Sequence, residues 1–238
     1  MLYGIQFDGK HSLHDMGYTM PAERDIGFPS KEKIVVQIPF SNVEYDFSEL
    51  YGSQTYGSRE LKYQFNVLKR GNYTPQAMQI EKTKLINWLM NTNGRKKLYD
   101  DTIPGYYFLA EIESAADIQD DWETGTLTVT FRAYPFMIAE LSEGHDIWDS
   151  FNFDLDVAQV TEFQVNGTLT VTLINNGTPD VVPEITASNR MKVTKDGVTY
   201  SIPSNVTNNS DFVLKSGENV LKITGYGTVS FLFYKELI

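Results

Sequence analysis

Alternation of apolar and polar positions dominates this chain. Leu61, Tyr63, Phe65 and Val67 fall on one side of an extended segment, with Lys62, Gln64 and Asn66 on the other. That period of two is the pattern of a half-buried strand. Leu127, Val129 and Phe131 alternate with threonines in the same way. Ile34 to Ile38 and Tyr106 to Ile112 read as further strands, and Asp8-Gly9 as a turn after an opening one. One segment carries the helical period instead. Met78, Leu85, Trp88 and Leu89 share a stripe. Thr74 fits the N-cap, and Pro75 the first helical position, where a missing N–H has no intrahelical partner. Gly94 is expected to cap the far end in a left-handed conformation, and Arg95-Lys96-Lys97 to complement the negative end of the dipole. Between two of the strands, Ser41 to Ser58 is polar and turn-rich, with Tyr45, Phe47, Tyr51 and Tyr56 interspersed. Connections this long are uncommon unless they have a task. The segment predicts an extended arm or contact loop; the bland alternative is a surface loop with its aromatics tucked into the core.

The second half has a different rhythm. Turn signals recur at Asn166-Gly167, Asn176-Gly177, Asp196-Gly197, Ser216-Gly217 and Gly225-Tyr226-Gly227. Short strands are predicted between them, at Thr168 to Ile174, Glu184 to Ser188, Met191 to Lys195, Val220 to Thr224 and Thr228 to Tyr234, the spacing of a sandwich. The hexapeptide Gly-Thr-Leu-Thr-Val-Thr occurs at 125–130 and at 167–172 with unlike flanks, so it marks a shared strand solution and not a repeat. The acidic stretch Ala139 to Ser150 is the expected boundary. The reading is a mainly β protein: residues 1–139 form a β-rich domain with one packed helix, and residues 140–238 an all-β sandwich.

Charge narrows the partners. The net charge is −11, and no Lys or Arg occurs between Arg132 and Arg190. Nine acids fall in that interval. Such a field repels phosphate backbones, which argues against specific nucleic-acid binding. Cysteine is absent, which excludes disulfides and thiolate metal sites. The opening residues lack a basic segment and an apolar core, so no signal peptide is expected, and no apolar run approaches a membrane span.

Candidate chemistry is thin. The histidines are His11, His14 and His145. His11-x-x-His14 has metal-ligand spacing for a helix, but lies in a segment with no helical pattern. No Gly-x-Ser-x-Gly elbow or phosphate-binding glycine loop is present. Asp100-Asp101, Asp120-Asp121 and Asp154-x-Asp156 could supply two carboxylates, yet adjacent residues point apart and read as turns. No catalytic residue, cofactor or metal site is expected. The non-helical tryptophans are Trp122 and Trp148, and Trp148 is a weak candidate for stacking on a sugar.

Several stretches, taken in order, resemble one family. They are Tyr45-Asp46-Phe47-Ser48, Gly57-Ser58-Arg59 before an alternating strand, and one amphipathic helix with Trp88 near its end. Lys97-Leu98-Tyr99-Asp100-Asp101, Pro104-Gly105-Tyr106-Tyr107 and Phe131-Arg132-Ala133-Tyr134-Pro135-Phe136 follow. Together they are similar to the distal tail proteins of long-tailed bacteriophages, over roughly the first 139 residues. The resemblance implies a hexameric ring built by the first domain. That ring would join the tail tube protein to the tail-associated tip protein and to a receptor-binding protein. It implies a galectin-like second domain. It places the protein at the virion tail tip of a phage or prophage, assembled in the cytoplasm of a bacterial host. Tyr45, Phe47, Tyr51, Tyr56 and Arg59 become the candidate oligomer contacts. The alternative is a carbohydrate-binding adsorption module acting through the sandwich.

Overall fold

The computed structural model describes residues 3–21, 24–48, 50, 52–67, 74–113, 118–121, 125–148 and 151–238. Tyr51 and Trp122, and the side chains of Asp120 and Asp121, lie outside the described residues. The protein is mainly β, with one described α-helix. The chain divides into two compact units, Met1–Met137 with Ile238, and Ile138–Leu237.

The first unit contains β1 (Ile5–Phe7), β2 (Lys10–His11), β3 (Asp25–Ile26), β4 (Val35–Gln37), β5 (Glu44–Asp46), β6 (Arg59–Asn66), α1 (Pro75–Met90), β7 (Lys96–Asp100), β8 (Tyr106–Glu111), β9 (Ile118–Asp121) and β10 (Thr126–Ala133). Its main sheet is antiparallel in the order β2-β1-β7-β8-β10-β6-β3, with β9 also against β10. Strand β6 alternates buried and exposed without a break, as its sequence predicts. In register, Phe65 faces Leu127, Tyr63 faces Val129 and Leu61 faces Phe131. All six are buried. Cross-strand pairs of this kind stabilise a sheet and also fix its register.

Helix α1 covers this apolar face. Thr74 Oγ1 accepts from the Ala77 N–H at 3.2 Å, which caps one of the unpaired N-terminal donors. Met78, Leu85, Trp88 and Leu89 are the buried stripe. The Trp88 indole N–H donates to the Phe7 carbonyl at 3.1 Å, and its ring meets Phe7 edge-on. The helix ends differently from the sequence expectation. Its cap is Asn91 at φ −84, and Gly94, at φ +65, lies in the turn beyond. Lys96 and Lys97 belong to β7, so they do not complement the helix dipole. Lys97 Nζ lies 4.2 Å from the centre of the Tyr107 ring.

The second unit begins at β11 (Met137–Ala139), which straddles the division. It continues with β12 (Glu162–Asn175), β13 (Glu184–Ala187), β14 (Met191–Lys195), β15 (Val198–Ile202), β16 (Asn205–Asn208), β17 (Gly217–Leu232) and β18 (Glu236–Leu237). Strand β18 pairs with β11. Two long strands organise the unit. β12 runs beside β17 over its whole length, from Glu162 opposite Ser230 to Asn175 opposite Gly217. Along the other edge of β17, residues 222–224 pair with β14 and residues 229–232 pair with β13. Two predicted turns, Asn166-Gly167 and Gly225-Tyr226-Gly227, are therefore not turns. Gly167 faces Gly225 across the ladder, and with Gly227 they have φ of +93, +155 and +120. The ribbon bends there, so one half joins β14 and β15 and the other joins β13 and β16. Val165, Leu173, Ile185, Val193, Leu221, Ile223, Val229 and Phe231 fill the core. Asp196-Gly197 is the tight turn its sequence predicts, with φ +52 and +80 joining β14 to β15.

The expected linker is tied at Ala139 and Glu143, whose N–H groups donate to Lys235 O and Phe233 O at 2.9 Å, and Asp146 to Trp148 are exposed. Gln159 bridges Ile174 N and O through its amide, at 2.9 and 2.8 Å.

Two stability outcomes follow. Trp88→Ala is expected to cost about 3–5 kcal/mol; a denaturant melt showing under about 1 kcal/mol would place the indole outside the core. Gly227 has both a positive φ and a close neighbour, since an added Cβ would lie 2.2 Å from Ser188 Oγ. Gly197 has the positive φ without the neighbour. Gly227→Ala should therefore lose clearly more than the roughly 1–2 kcal/mol of a left-handed residue alone, which Gly197→Ala should lose. Equal melting shifts for the two variants would remove the bend from this account.

Candidate assembly surface

Residues 28–58 leave the main sheet and return to it as a hairpin. At its root the Gly27 N–H donates to Glu60 O and the Gly57 N–H to Ser30 O, at 3.0 and 2.9 Å. Arg59 closes that root. Its Nε donates to Gly27 O at 2.9 Å, its Nη1 to Pro135 O at 3.3 Å, and its guanidinium lies 5.0 Å from the Phe108 ring centre. Arg59 is buried. The structure thus places it inside the protomer, beneath the arm and not on its surface. Tyr56 is half-buried beside it and meets Phe136 edge-on at 5.2 Å.

Beyond the root, β4 and β5 pair with Val35 opposite Asp46 and Val36 opposite Tyr45. The sequence showed a strand followed by a loop; β5 makes it a two-stranded arm. Lys33 Nζ sits 2.7 Å from Asp46 Oδ2, and Lys33, with Ser48, holds the Asp46 carboxyl well below the usual carboxylate range. Ile34 N–H donates to Ser48 Oγ at 2.9 Å. The arm is thus ordered by polar contacts along its base. Its apolar side chains are not packed. Val36 and Tyr45 are each 52% exposed, Phe40 at the tip is fully exposed, and Ile34, Val35, Ile38, Val43 and Phe47 are exposed too. Tyr45 and Phe47 stack on each other at 6.2 Å. Phe40 has φ +62, a conformation that costs a bulky residue energy.

A second apolar ridge lies in the other unit. Trp148 is 61% exposed and Phe153 86%. Phe151 lies between them, with ring centres 5.1 and 5.2 Å away and planes at 44° and 74°. The first pair is tilted and the second edge-on, so the three rings do not make a coplanar platform.

Asp100 and Asp101 serve as local ties. Asp100 Oδ1 accepts from Thr102 N–H at 2.9 Å and lies 3.3 Å from Arg24 Nε. Asp101 Oδ2 accepts from Gly4 N–H at 2.7 Å and faces His11 Nε2. His11 Nδ1 accepts from the Leu13 and His14 N–H groups. Among the described residues, no cluster of His, Asp or Glu could hold a metal, and no helix is long and apolar enough to cross a membrane. Sequence reasoning missed a buried charge in the second unit, Lys235, whose only signal was a lone Lys after the run Phe231 to Tyr234.

No family model matches the chain, and no curated protein matches it. Among solved structures it is similar to that of the phage SPP1 Dit (gp 19.1) protein, a paradigm of the hub adsorption apparatus in phages that infect Gram-positive bacteria. The likeness has a TM-score of 0.63 at 14% identity and covers 100% of both chains. The protein shares that fold.

Arg59 generates a prediction. Lysine is a point charge that cannot reproduce the guanidinium fork or its stacking. Arg59→Lys should cost about 1–2 kcal/mol and Arg59→Ala about 3–5 kcal/mol, because one buried and one part-buried carbonyl lose this donor. Chemical denaturation checks both; a neutral Arg59→Ala would mean the root is held by its backbone alone.

Proposed function

We propose that the protein is a structural component of a phage tail tip, whose first unit assembles into a closed hexameric ring. The carrying observation is the β4–β5 arm. A two-stranded hairpin is marginal by itself. Here it exposes apolar side chains on both faces, which its own chain does not bury. An exposed apolar surface of this kind marks an association site. Arm-to-neighbour contacts are heterologous, and such contacts give a ring when the rotation closes. The fold shared with a hub protein of a phage adsorption apparatus supports the same reading. The ring would link the tail tube protein to the tip protein, with the second unit as an anchor for a receptor-binding protein. Tyr45 and Phe47 remain contact candidates on this reading. The function is scaffolding, with no catalytic step.

A second reading is carbohydrate binding through the second unit, which the exposed Trp148 favours. The tilted rings around it suit a protein surface better than a flat pyranose. Calorimetry against host wall polysaccharide giving a dissociation constant tighter than about 1 mM, near −4 kcal/mol, would favour the sugar.

The ring is tested by mass photometry and negative-stain microscopy of the full chain and of a Val36→Ser, Phe40→Ser, Tyr45→Ser variant. Wild type should form rings. Copies at −11 repel one another, so assembly should improve with moderate salt, which screens exposed charges over about 8–10 Å. The variant should stay monomeric with an unchanged melting temperature, since those side chains are exposed in the protomer. Rings in the variant would exclude the arm as the assembly contact.

A further inference from the structure

Where its chain enters and leaves the β-rich unit, the second unit buries two charged groups, Lys235 and Glu143, and sets the part-buried Asp156 against the first of them. Lys235 follows β17, and its side chain is 2% exposed. Its Nζ donates to Leu155 O at 2.9 Å and meets Asp156 Oδ1 directly. Asp156 is held rigidly for that contact. Its N–H donates to Asn152 O at 2.7 Å, and its Oδ2 accepts from the Asn152 N–H at 2.7 Å. The third group is Glu143, buried, with Oε2 accepting from Gln159 Nε2 at 2.9 Å. Burial pushes the Glu143 carboxyl up, toward the neutral acid, against the Gln159 hydrogen bond and the Lys235 charge. Burial also raises Asp156, but Lys235 and the Asn152 N–H outweigh it and hold that carboxylate low. A plain ion pair needs only Lys235 and Asp156. A further acid buried in the same field is an expense that stability alone does not explain.

We propose that Lys235 and Asp156 condense into an intramolecular isopeptide bond, with Glu143 as the proton carrier. Across the direct contact the Lys235 ammonium passes a proton to the Asp156 carboxylate, which gives a neutral amine and a neutral acid. The amine Nζ attacks Asp156 Cγ. Glu143 carries a proton from the nitrogen to the departing hydroxyl. The C–N bond forms, the C–O bond breaks, one water leaves, and Glu143 ends in its starting state. Ammonium and carboxylate become amide and water, so atoms, charge and electrons balance with no co-reactant. The bond would close the sandwich from Asp156, just before β12, to Lys235, just after β17. It would stabilise as a disulfide does, by narrowing the unfolded state. This chain has no cysteine with which to do so.

Intact mass spectrometry of the purified full chain tests the bond. The expected mass is lower than the sequence mass by one water. A proteolytic map should contain a branched peptide that joins the Asp156 and Lys235 segments, with no tryptic cut after Lys235. Lys235→Arg keeps the charge but cannot form the bond, and should return the full mass. Glu143→Gln should fold, by circular dichroism, and also return the full mass. Wild-type protein at full mass overturns the proposal. So does a lost water that maps to a linear peptide, such as an aspartyl succinimide. A crosslink formed at the wild-type rate in Glu143→Gln overturns it as stated.

Discussion

Everything that distinguishes the first unit hangs on how one cation is buried. Arg59 reaches two carbonyls from different parts of the chain, Gly27 O before the arm and Pro135 O after β10, and lies against Phe108. Burying a guanidinium is costly unless its donors are met and its plane is covered. Meeting those demands fixes three segments at one point. The arm begins and ends there. A hairpin without a core of its own takes its direction from its root, so a rigid root aims an otherwise weakly held element. Arg59 thus positions the arm from beneath, with no exposure of its own.

The second unit solves a different problem. One ribbon, β12 with β17, carries two groups of strands along its edge, β14 with β15 and β13 with β16. Gly167 opposite Gly225, with Gly227 close behind, lets β12 and β17 bend together while their ladder continues. A side chain at Gly225 would run into Met191, and one at Gly227 into Ser188. Glycine is therefore required twice over, for backbone angle and for space. The bend also brings distant stretches of chain onto one core, and Phe212 packs parallel to Phe231 across it.

The alternation of β6 and β10 and the stripe of α1 were plain in the sequence because each buries one face and exposes the other. The helix start was equally plain, since Thr74 and Pro75 act locally. What escaped was whatever depends on a remote partner. Asn166-Gly167 and Gly225-Tyr226-Gly227 are turn signals by composition, and only their alignment across a ladder converts them to a bend. β7 was hidden because Arg95-Lys96-Lys97 looks like a helix end, while Leu98 and Asp100 face inward and the lysines do not. Tyr45 and Phe47 were legible as unusual aromatics in a long loop. That Tyr45 sits on a paired strand was not, because Glu44-Tyr45-Asp46 has no buried face to leave an alternating trace. Arg59 and Lys235 show the limit most sharply. A charge in a β-rich segment reads as solvent-facing, and only tertiary carbonyls and carboxylates reveal it as buried.

Charge and apolar exposure also divide between the two halves of the sequence. Residues 28–58 mix Lys31 and Lys33 with Glu32, Glu44, Asp46 and Glu49, so like copies would meet there with charges of both signs. Residues 133–189 carry acids and no Lys or Arg. Two such surfaces repel, at least over a Debye length. Self-association is thus cheapest through the arm and most costly through the acidic stretch. On the proposed reading, that asymmetry selects which surfaces meet as copies gather. The Trp148 ridge lies within the acidic stretch, so its own copy is a poor partner. A partner with a basic rim would gain where a second copy would lose.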